Sequence, residues 1–284
     1  MTRATIPFFI VVLGASFLEA QSIGVTRADQ PVVDPFNSIL GTQSIGASYQ
    51  FSEQVRIVET ARVAREMGSN VIKFALDQRY AQRGDVAKVD PSVHSPKDLA
   101  REPSFKAVLD MPFAYYVLWA TAFDEPDWRM GLDDKGKENE YRQMYELTCY
   151  LLQSFSGLHK TFLLGYCEGD WLLRDSFEEG AKATPQAVAG MIAWLNVRQK
   201  AVEDAKRDTP HHDVEVFQYT EVNRVRDAIA GATSVTNDVL PKTHVDFVSY
   251  SFYDSQQGND LALCLDYIES KLPQKDGISG SGSV

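Results

Sequence analysis

The chain alternates apolar segments of strand length with amphipathic segments of helix length. Six apolar segments are assigned to strands, at residues 38–45, 70–76, 113–120, 161–164, 214–220 and 245–252. Each is followed by a segment of helical pattern, at residues 52–67, 98–110, 137–154, 185–206, 225–230 and 261–272. In the second of these, Pro103 lies either near the first turn of one helix or between two short helices. The almost continuously apolar run at 113–120 is typical of a parallel strand that is buried on both faces. Strands separated by helices predict a parallel sheet with right-handed crossovers.

The first turn between a strand and a helix separates two kinds of parallel α/β fold. A dinucleotide-binding fold carries GxGxxG at this turn, whereas Gly41 and Gly46 are five residues apart. We therefore predict an α/β fold of the (β/α)8 TIM-barrel type. A closed barrel has eight units, and six are assigned, so about six of the eight βα units are expected. The predicted organisation is an incomplete barrel domain at residues 29–276 and a flexible Gly- and Ser-rich tail at 277–284.

The N-terminal residues have the pattern of an export signal. Arg3 supplies a positive charge, residues 6–17 form a short apolar stretch, and small residues near Ala20 or Ala28 offer cleavage sites. These features predict a signal peptide at residues 1–28 and a secreted or periplasmic protein. A buried N-terminal helix is the alternative interpretation of the apolar stretch. The stretch is too short for a membrane span, which needs about 20 residues.

Composition and motifs exclude several classes of function. The net charge of −11 repels phosphate backbones, so we expect no nucleic-acid partner. Cys149, Cys167 and Cys264 are far apart and show no CxxC spacing, which argues against a zinc site or a disulfide framework. Neither HExxH nor GxSxG occurs, so metalloproteases and α/β-hydrolases are disfavoured. We expect no metal, no cofactor, and no membrane association once the signal is removed.

The segment 160–171, KTFLLGYCEGDW, joins a predicted strand directly to polar and aromatic residues. Glu168 follows the end of this strand, and Trp171 follows three residues later. Catalytic residues of eight-stranded α/β barrels lie at the carboxyl ends of the strands and on the loops after them. Glu168 is therefore the first candidate for a catalytic residue.

The order of the units over residues 38–272, and above all the segment 166–171, resembles the clan-A glycoside hydrolases. These are (β/α)8 enzymes that cleave sugars, and they include cellulases. In that group the fourth strand ends in the acid/base glutamate, a role that the resemblance implies for Glu168. Cys167 stands where the group usually has asparagine. The group's nucleophile is a glutamate at the end of the seventh strand, and no residue of this sequence is assigned to it.

The chemistry of a proton donor also favours Glu168. A general acid for a glycosidic oxygen needs a carboxyl whose pKa is raised by apolar neighbours, and Tyr166 and Trp171 are candidates for that surrounding. Gly169 would let a ligand approach the backbone closely. The alternative is a structural carboxylate that caps the next helix or pairs with Arg174.

Other polar and aromatic side chains follow the predicted strands and would meet at the same rim. We predict substrate contacts at Trp119, Trp128, Asp170, Trp171, Glu221, Asn223, Tyr250 and Tyr253. Indole rings stack on sugar rings, and Trp128 stands in an acidic loop, whereas Trp119 fits a core position equally well. Trp194 is expected in the core because it lies inside a predicted helix. Each polar residue taken alone is more often structural than functional.

Two functions remain open on the sequence. The first is a secreted glycoside-hydrolase-like protein that acts on polysaccharide or oligosaccharide, or derives from one that does. The second is a non-catalytic carbohydrate-binding or inactive truncated barrel that lacks the nucleophile of the seventh strand. Glu221 or Asp254 would have to supply the second carboxylate of a catalytic pair. An incomplete barrel exposes two sheet edges, so self-association through these edges is also expected.

Overall fold

The computed structural model describes residues 11–14, 41–44, 50–78, 90–124, 127–178, 180–255 and 260–273. Their strands are β1 (Val11–Gly14), β2 (Gly41–Ser44), β3 (Val71–Leu76), β4 (Tyr115–Ala120), β5 (Lys160–Gly165), β6 (Val214–Val222) and β7 (Phe247–Tyr250). In space the order is β1-β7-β6-β5-β4-β3-β2. The strands β2 to β7 pair in parallel with their neighbours in sequence. The predicted α/β fold with a parallel sheet is therefore confirmed.

Each of the parallel strands is followed by one or two of the described helices. They are α1 (Arg56–Glu66), α2 (Pro96–Arg101), α3 (Pro103–Asp110), α4 (Asp134–Ser154), α5 (Gly169–Arg174), α6 (Pro185–Asp208), α7 (Val225–Ile229) and α8 (Asp260–Lys271). Short 3-10 turns occupy Trp128–Met130 and Leu240–Lys242, and a π-helical turn occupies Val235–Val239. The predicted helix 98–110 is divided in two, because the extended residue Glu102 precedes Pro103. After α1, Gly68 has a φ of 91°, as expected for a glycine that ends a helix.

The two faces of the sheet have different partners, because successive side chains of a strand point to opposite faces. Even-numbered strand residues pack against the helices in the largest core cluster, which includes Ile72, Phe74, Tyr116, Leu118, Phe162 and Leu164. Odd-numbered residues form a second cluster on the other face, with Ala75, Val117, Trp119, Leu163 and Tyr219. This second face carries the residues that the site depends on.

Lys73 on β3 and Glu221 on β6 show that the sheet curves. The strands β4 and β5 lie between them, and adjacent strands are about 4.8 Å apart, so a flat sheet would separate the two strands by roughly 14 Å. Through the registers of β3 to β6, Lys73 is level with Phe217, four residues before Glu221, which adds roughly 13 Å along the strands. The two side chains could not bridge both separations in a flat sheet, yet Lys73 Nζ lies 2.7 Å from Glu221 Oε2. The sheet therefore curls toward the face that carries the odd-numbered residues, which we call the concave face. The six parallel strands form a half-barrel.

The outer strands of the described sheet are β1 and β2. β1 pairs antiparallel with β7, from Val11 opposite Tyr250 to Gly14 opposite Phe247. One edge of the sheet is therefore formed by β1 instead of β7. Self-association stays a prediction.

The predicted terminal segments lie largely outside the described residues. β1 falls within the predicted signal peptide 1–28, and the rest of that segment and the predicted tail 277–284 are not described. Export therefore stays a prediction. In the described part of the chain, no helix combines the length and the apolar character needed to cross a membrane.

Candidate active site

Glu168 follows β5 on the rim formed by the carboxyl ends of the parallel strands. Its backbone is left-handed, with φ 44° and ψ 68°, a conformation that costs a residue with a side chain about 1–2 kcal/mol. The amide of Glu168 donates to Glu221 Oε1 at 2.8 Å. Its carbonyl accepts from Trp171 N at 3.1 Å and starts α5. The contact with Glu221 thus fixes the backbone from which the Glu168 side chain projects.

The Glu168 carboxyl neither caps the following helix nor pairs with Arg174, the two structural alternatives considered from the sequence. Glu168 precedes α5, but its side chain makes no capping hydrogen bond to that helix. Arg174 instead pairs with Asp227, with Nη1 at 3.1 Å from Oδ2. The carboxyl of Glu168 is left half-buried at the rim.

The pKa of the Glu168 carboxyl is raised above its ordinary value. Burial is the main cause, and the negative charge of Glu221 acts in the same direction. The Lys73 ammonium and a hydrogen bond with the Tyr253 side chain oppose the increase in this pKa, but they do not cancel it. Glu168 therefore keeps its proton to higher pH than an ordinary glutamate, as a general acid requires.

Glu221 is completely buried at the end of β6, and its two carboxylate oxygens are occupied. Oε2 accepts from Lys73 Nζ at 2.7 Å, and Oε1 accepts from the Ser251 hydroxyl at 3.1 Å in addition to the Glu168 amide. Lys73 in turn lies 4.5 Å from the centroid of the Trp119 ring. Glu221, predicted as a substrate contact, is therefore bound by the protein's own groups directly behind Glu168.

Asp170 and Asn223, two further predicted substrate contacts, bind each other. Asp170 Oδ2 accepts from Asn223 N at 2.9 Å, and Asp170 N donates to Asn223 Oδ1 at 3.0 Å. The other oxygen of Asp170 accepts from Val235 N at 2.9 Å. Both side chains are buried. This reciprocal pair ties the first turn of α5 to the residues after β6 and thereby supports Glu168, which directly precedes α5.

The predicted tryptophan contacts divide into buried and accessible rings. Trp128 is 7% exposed and stacks on Trp194, with ring centroids 5.5 Å apart, so it packs inside the protein. Trp119 is also buried and lies on the concave face below Lys73. Trp171 is half-buried beside Glu168.

Trp171 belongs to an aromatic corner on the loop after β5. The exposed ring of Phe177 lies 6.0 Å from Trp171, and the two ring planes are 46° apart. The guanidinium groups of Arg174 and Arg224 lie 5.7 Å and 5.1 Å from the Trp171 ring. Both guanidinium groups are paired with Asp227, so what this corner offers is flat apolar surface, three residues along the chain from Glu168.

The two tyrosines after β7 have different positions. Tyr253 is 39% exposed and its hydroxyl contacts the Glu168 carboxyl. Tyr250 is buried, and its hydroxyl donates to Asp254 Oδ1 at 2.6 Å. Asp254 also accepts from the Arg226 amide at 2.8 Å. Tyr253 is therefore at the rim, whereas Tyr250 and Asp254 stabilise the loop that carries it.

Sequence reasoning did not identify Lys73, Ser251 or Phe177 as members of the site. The only signal for Lys73 was a charged residue within the apolar strand 70–76, since a fully buried lysine requires a partner. Ser251 lies near the end of the predicted strand 245–252 and Phe177 lies between predicted elements, and neither carries such a signal.

Comparison with known proteins leaves the chain without an assigned family. No protein-family model matches the sequence, and no curated protein matches it significantly. The described residues also contain no group of three or more His, Cys, Asp or Glu side chains that could hold a metal ion.

Proposed function

We propose that this chain is a carbohydrate-active protein of the (β/α)8 glycoside hydrolase type, with Glu168 as the general acid. Its substrate would be a glycosidic bond in a polysaccharide or oligosaccharide. The observation that carries this proposal is the Glu168 carboxyl, which is half-buried at the end of a central strand and has a raised pKa. The six described parallel units would belong to a barrel of eight units.

Glu168 would act by donating its proton to the oxygen of the leaving sugar. The bond between that oxygen and the anomeric carbon breaks as the proton is transferred, and positive charge develops on the sugar ring. A water molecule then supplies the new oxygen at the anomeric carbon and releases a proton, which completes the hydrolysis. The resulting Glu168 carboxylate would be stabilised by the Tyr253 hydroxyl and the Lys73 charge, both of which lower its pKa. Burial and Glu221 favour the protonated form of Glu168, whereas Lys73 and Tyr253 favour the ionised form. A residue that acts first as an acid and then as a base needs both kinds of neighbour.

A ligand platform is available beside the proposed acid. Trp171 and the 79% exposed Phe177 form a corner of two rings. Tyr253 lies on the segment that follows β7. Sugar rings stack on such surfaces through their apolar faces.

A second function is favoured by one observation. Glycoside hydrolysis needs a second carboxyl, at about 5–5.5 Å for retention or 6.5–9.5 Å for inversion. The oxygens of Glu221 are occupied by Lys73, Ser251 and the Glu168 amide. A protein that binds carbohydrate without cleaving it is therefore the second candidate.

A panel of soluble polysaccharides distinguishes the two candidates. The parent chain and Glu168→Gln would each be incubated with the panel, and binding would be followed by affinity electrophoresis and cleavage by new reducing ends. A hydrolase predicts binding by both proteins and cleavage by the parent alone. Binding by both without cleavage supports the second candidate. Absence of binding to every glycan would contradict both.

A further inference from the structure

Glu168 is held in its left-handed conformation by a side chain from another strand. Its amide donates to Glu221 Oε1 at 2.8 Å, and Glu221 lies 53 residues further along the chain. The adjoining Gly169 is equally close to β6, because a Cβ there would lie 2.4 Å from the Glu221 carbonyl oxygen. The loop after β5 is therefore pressed against the end of β6.

Glu221 is itself fixed from two other strands. Lys73 from β3 contributes an ammonium at 2.7 Å, and Ser251, just after β7, contributes a hydroxyl at 3.1 Å. All three side chains are buried. The acceptor of the Glu168 amide is thus a rigid carboxylate held by partners on both sides of the half-barrel.

We propose that Glu221 is a positioning residue for Glu168, and that Lys73 holds the negative charge of Glu221 in place behind the proposed acid. This inference rests on the proposed role of Glu168. Glu221 performs two tasks at once, because one of its oxygens orients the Glu168 backbone while its charge acts on the Glu168 carboxyl. Lys73 occupies the remaining oxygen and thereby keeps Glu221 from turning toward substrate.

A purely structural ion pair explains less of this geometry. A buried ion pair is weak evidence for stability, since apolar replacements of the same volume are often neutral or stabilising. The buried pair of Arg198 and Glu140 at 2.6 Å joins two helices, and its arginine also donates to the Ala120 carbonyl at 2.8 Å. The pair of Lys73 and Glu221 differs, because its carboxylate accepts from the amide of the candidate acid Glu168.

The charges around Glu168 predict the direction in which substitutions act. Glu221 favours the protonated form of Glu168, and Lys73 opposes it with the smaller effect. Other titratable groups near the pair come from β5, β6 and the segment after β7, namely Tyr166, Cys167, Tyr219 and Tyr253. Burial raises the pKa of each of the three tyrosines, so none of them carries a negative charge at neutral pH.

The test measures the titration of the Glu168 carboxyl by carbon-13 NMR in the full chain. The Glu168 resonance is assigned by its loss in Glu168→Gln. Glu221→Gln removes the charge but preserves the shape and an amide-accepting oxygen, so the Glu168 midpoint should move to lower pH. Lys73→Met should move it to higher pH, because the opposing positive charge is lost.

Glu140→Gln is the matched control. It also neutralises a buried carboxylate that is paired with a basic side chain, and it should reduce stability without moving the Glu168 midpoint. If Glu221→Gln does not fold, the double variant Lys73→Met/Glu221→Gln provides the measurement without an unpaired buried charge. Its midpoint should still move to lower pH, since the Glu221 effect is the larger of the two.

An unchanged Glu168 midpoint in folded Glu221→Gln, or in the double variant, would overturn the inference. A shift in Glu140→Gln equal to that in Glu221→Gln would overturn it as well, because the effect would then be a general loss of packing. The readout requires no hydrolysis. A protein that cleaves no glycan but shows the expected shifts would therefore contradict the proposed function and leave intact the inferred action of Glu221 and Lys73 on Glu168.

Discussion

Lys73 Nζ and Glu221 Oε2 lie 2.7 Å apart, although two strands separate the strands that carry them. The residues are 148 positions apart in the sequence. Their contact spans the concave face and lies directly behind Glu168, whose amide binds the same carboxylate. The curvature of the sheet and the conformation of the candidate acid are therefore linked through one buried ion pair.

Replacing one residue of this ion pair should destabilise the protein more than replacing both. Lys73→Met leaves the buried Glu221 without its cationic partner and should lower the free energy of unfolding by about 3–5 kcal/mol. Lys73→Met/Glu221→Gln removes both charges and should recover most of that loss. Urea unfolding followed by circular dichroism measures both values. An equal loss in the single and double variants would contradict this explanation.

The sequence predicted the order and type of the parallel strands and most helices, because each apolar run reflects local burial. It did not predict β1, since the pairing of Val11–Gly14 with β7 joins opposite ends of the chain. The sequence also left open whether Pro103 starts a second helix. The extended conformation of Glu102 decides this point.

Lys160 should make stability depend on pH in the alkaline range. Its buried ammonium donates to Met111 O at 2.8 Å and to the Tyr116 hydroxyl at 2.9 Å. Burial lowers the pKa of Lys160 to about 8, from the ordinary 10.5. The unfolded chain therefore binds the Lys160 proton more tightly than the folded chain does. The contribution of neutral, buried Lys160 to the free energy of unfolding is present above pH 10.5 and is lost as the pH falls through about 8.

Lys160→Met should remove this pH dependence. The free energy of unfolding of the parent should rise between about pH 8 and 10 relative to the variant, and urea unfolding at several pH values measures the difference. Lys97→Met is the control, because Lys97 is partly exposed and paired with Glu146 at 2.6 Å. A parent and Lys160→Met with the same pH dependence would show that Lys160 titrates normally.

Gly165 is required by the packing of the concave face. A Cβ at this position would lie 2.3 Å from the ring of Tyr219. Tyr219 belongs to the neighbouring strand β6, and its ring is buried. Gly165→Ala should therefore lower the free energy of unfolding by about 1–3 kcal/mol. Gly180→Ala is the control, since a Cβ there meets nothing within 4 Å. Equal stabilities of the two variants would contradict the placement of Tyr219.

Trp171→Ala should weaken carbohydrate binding without abolishing the fold. The substitution removes a half-buried ring beside Phe177 and Glu168, and the loss of an aromatic stacking surface costs about 1 kcal/mol, or roughly fivefold in Kd. Trp171→Phe keeps an aromatic surface and should bind nearly as well as the parent. Isothermal titration with a glycan that the parent binds gives the Kd values. An unchanged Kd for Trp171→Ala would remove this corner from the binding site.

The candidate site was predictable only in part. Glu168 was identified because a carboxylate directly follows an apolar strand, which is a local pattern. Trp128 was predicted at a rim because its neighbours are acidic, but its ring stacks on Trp194 from α6, and such a contact depends on tertiary packing. The ion pair between Lys73 and Glu221 could not be predicted from the sequence either, since it depends on the curvature of the sheet.

The leaving-group dependence of hydrolysis tests the role of Glu168 most directly. A natural glycan has a poor leaving group that must be protonated, whereas a dinitrophenyl glycoside of the same sugar departs without a proton. Glu168→Gln should therefore lower kcat/KM for the natural glycan by about 10²–10⁴-fold and leave the dinitrophenyl glycoside far less affected. An equal loss on both substrates, or full activity of Glu168→Gln on the natural glycan, would contradict Glu168 as the general acid.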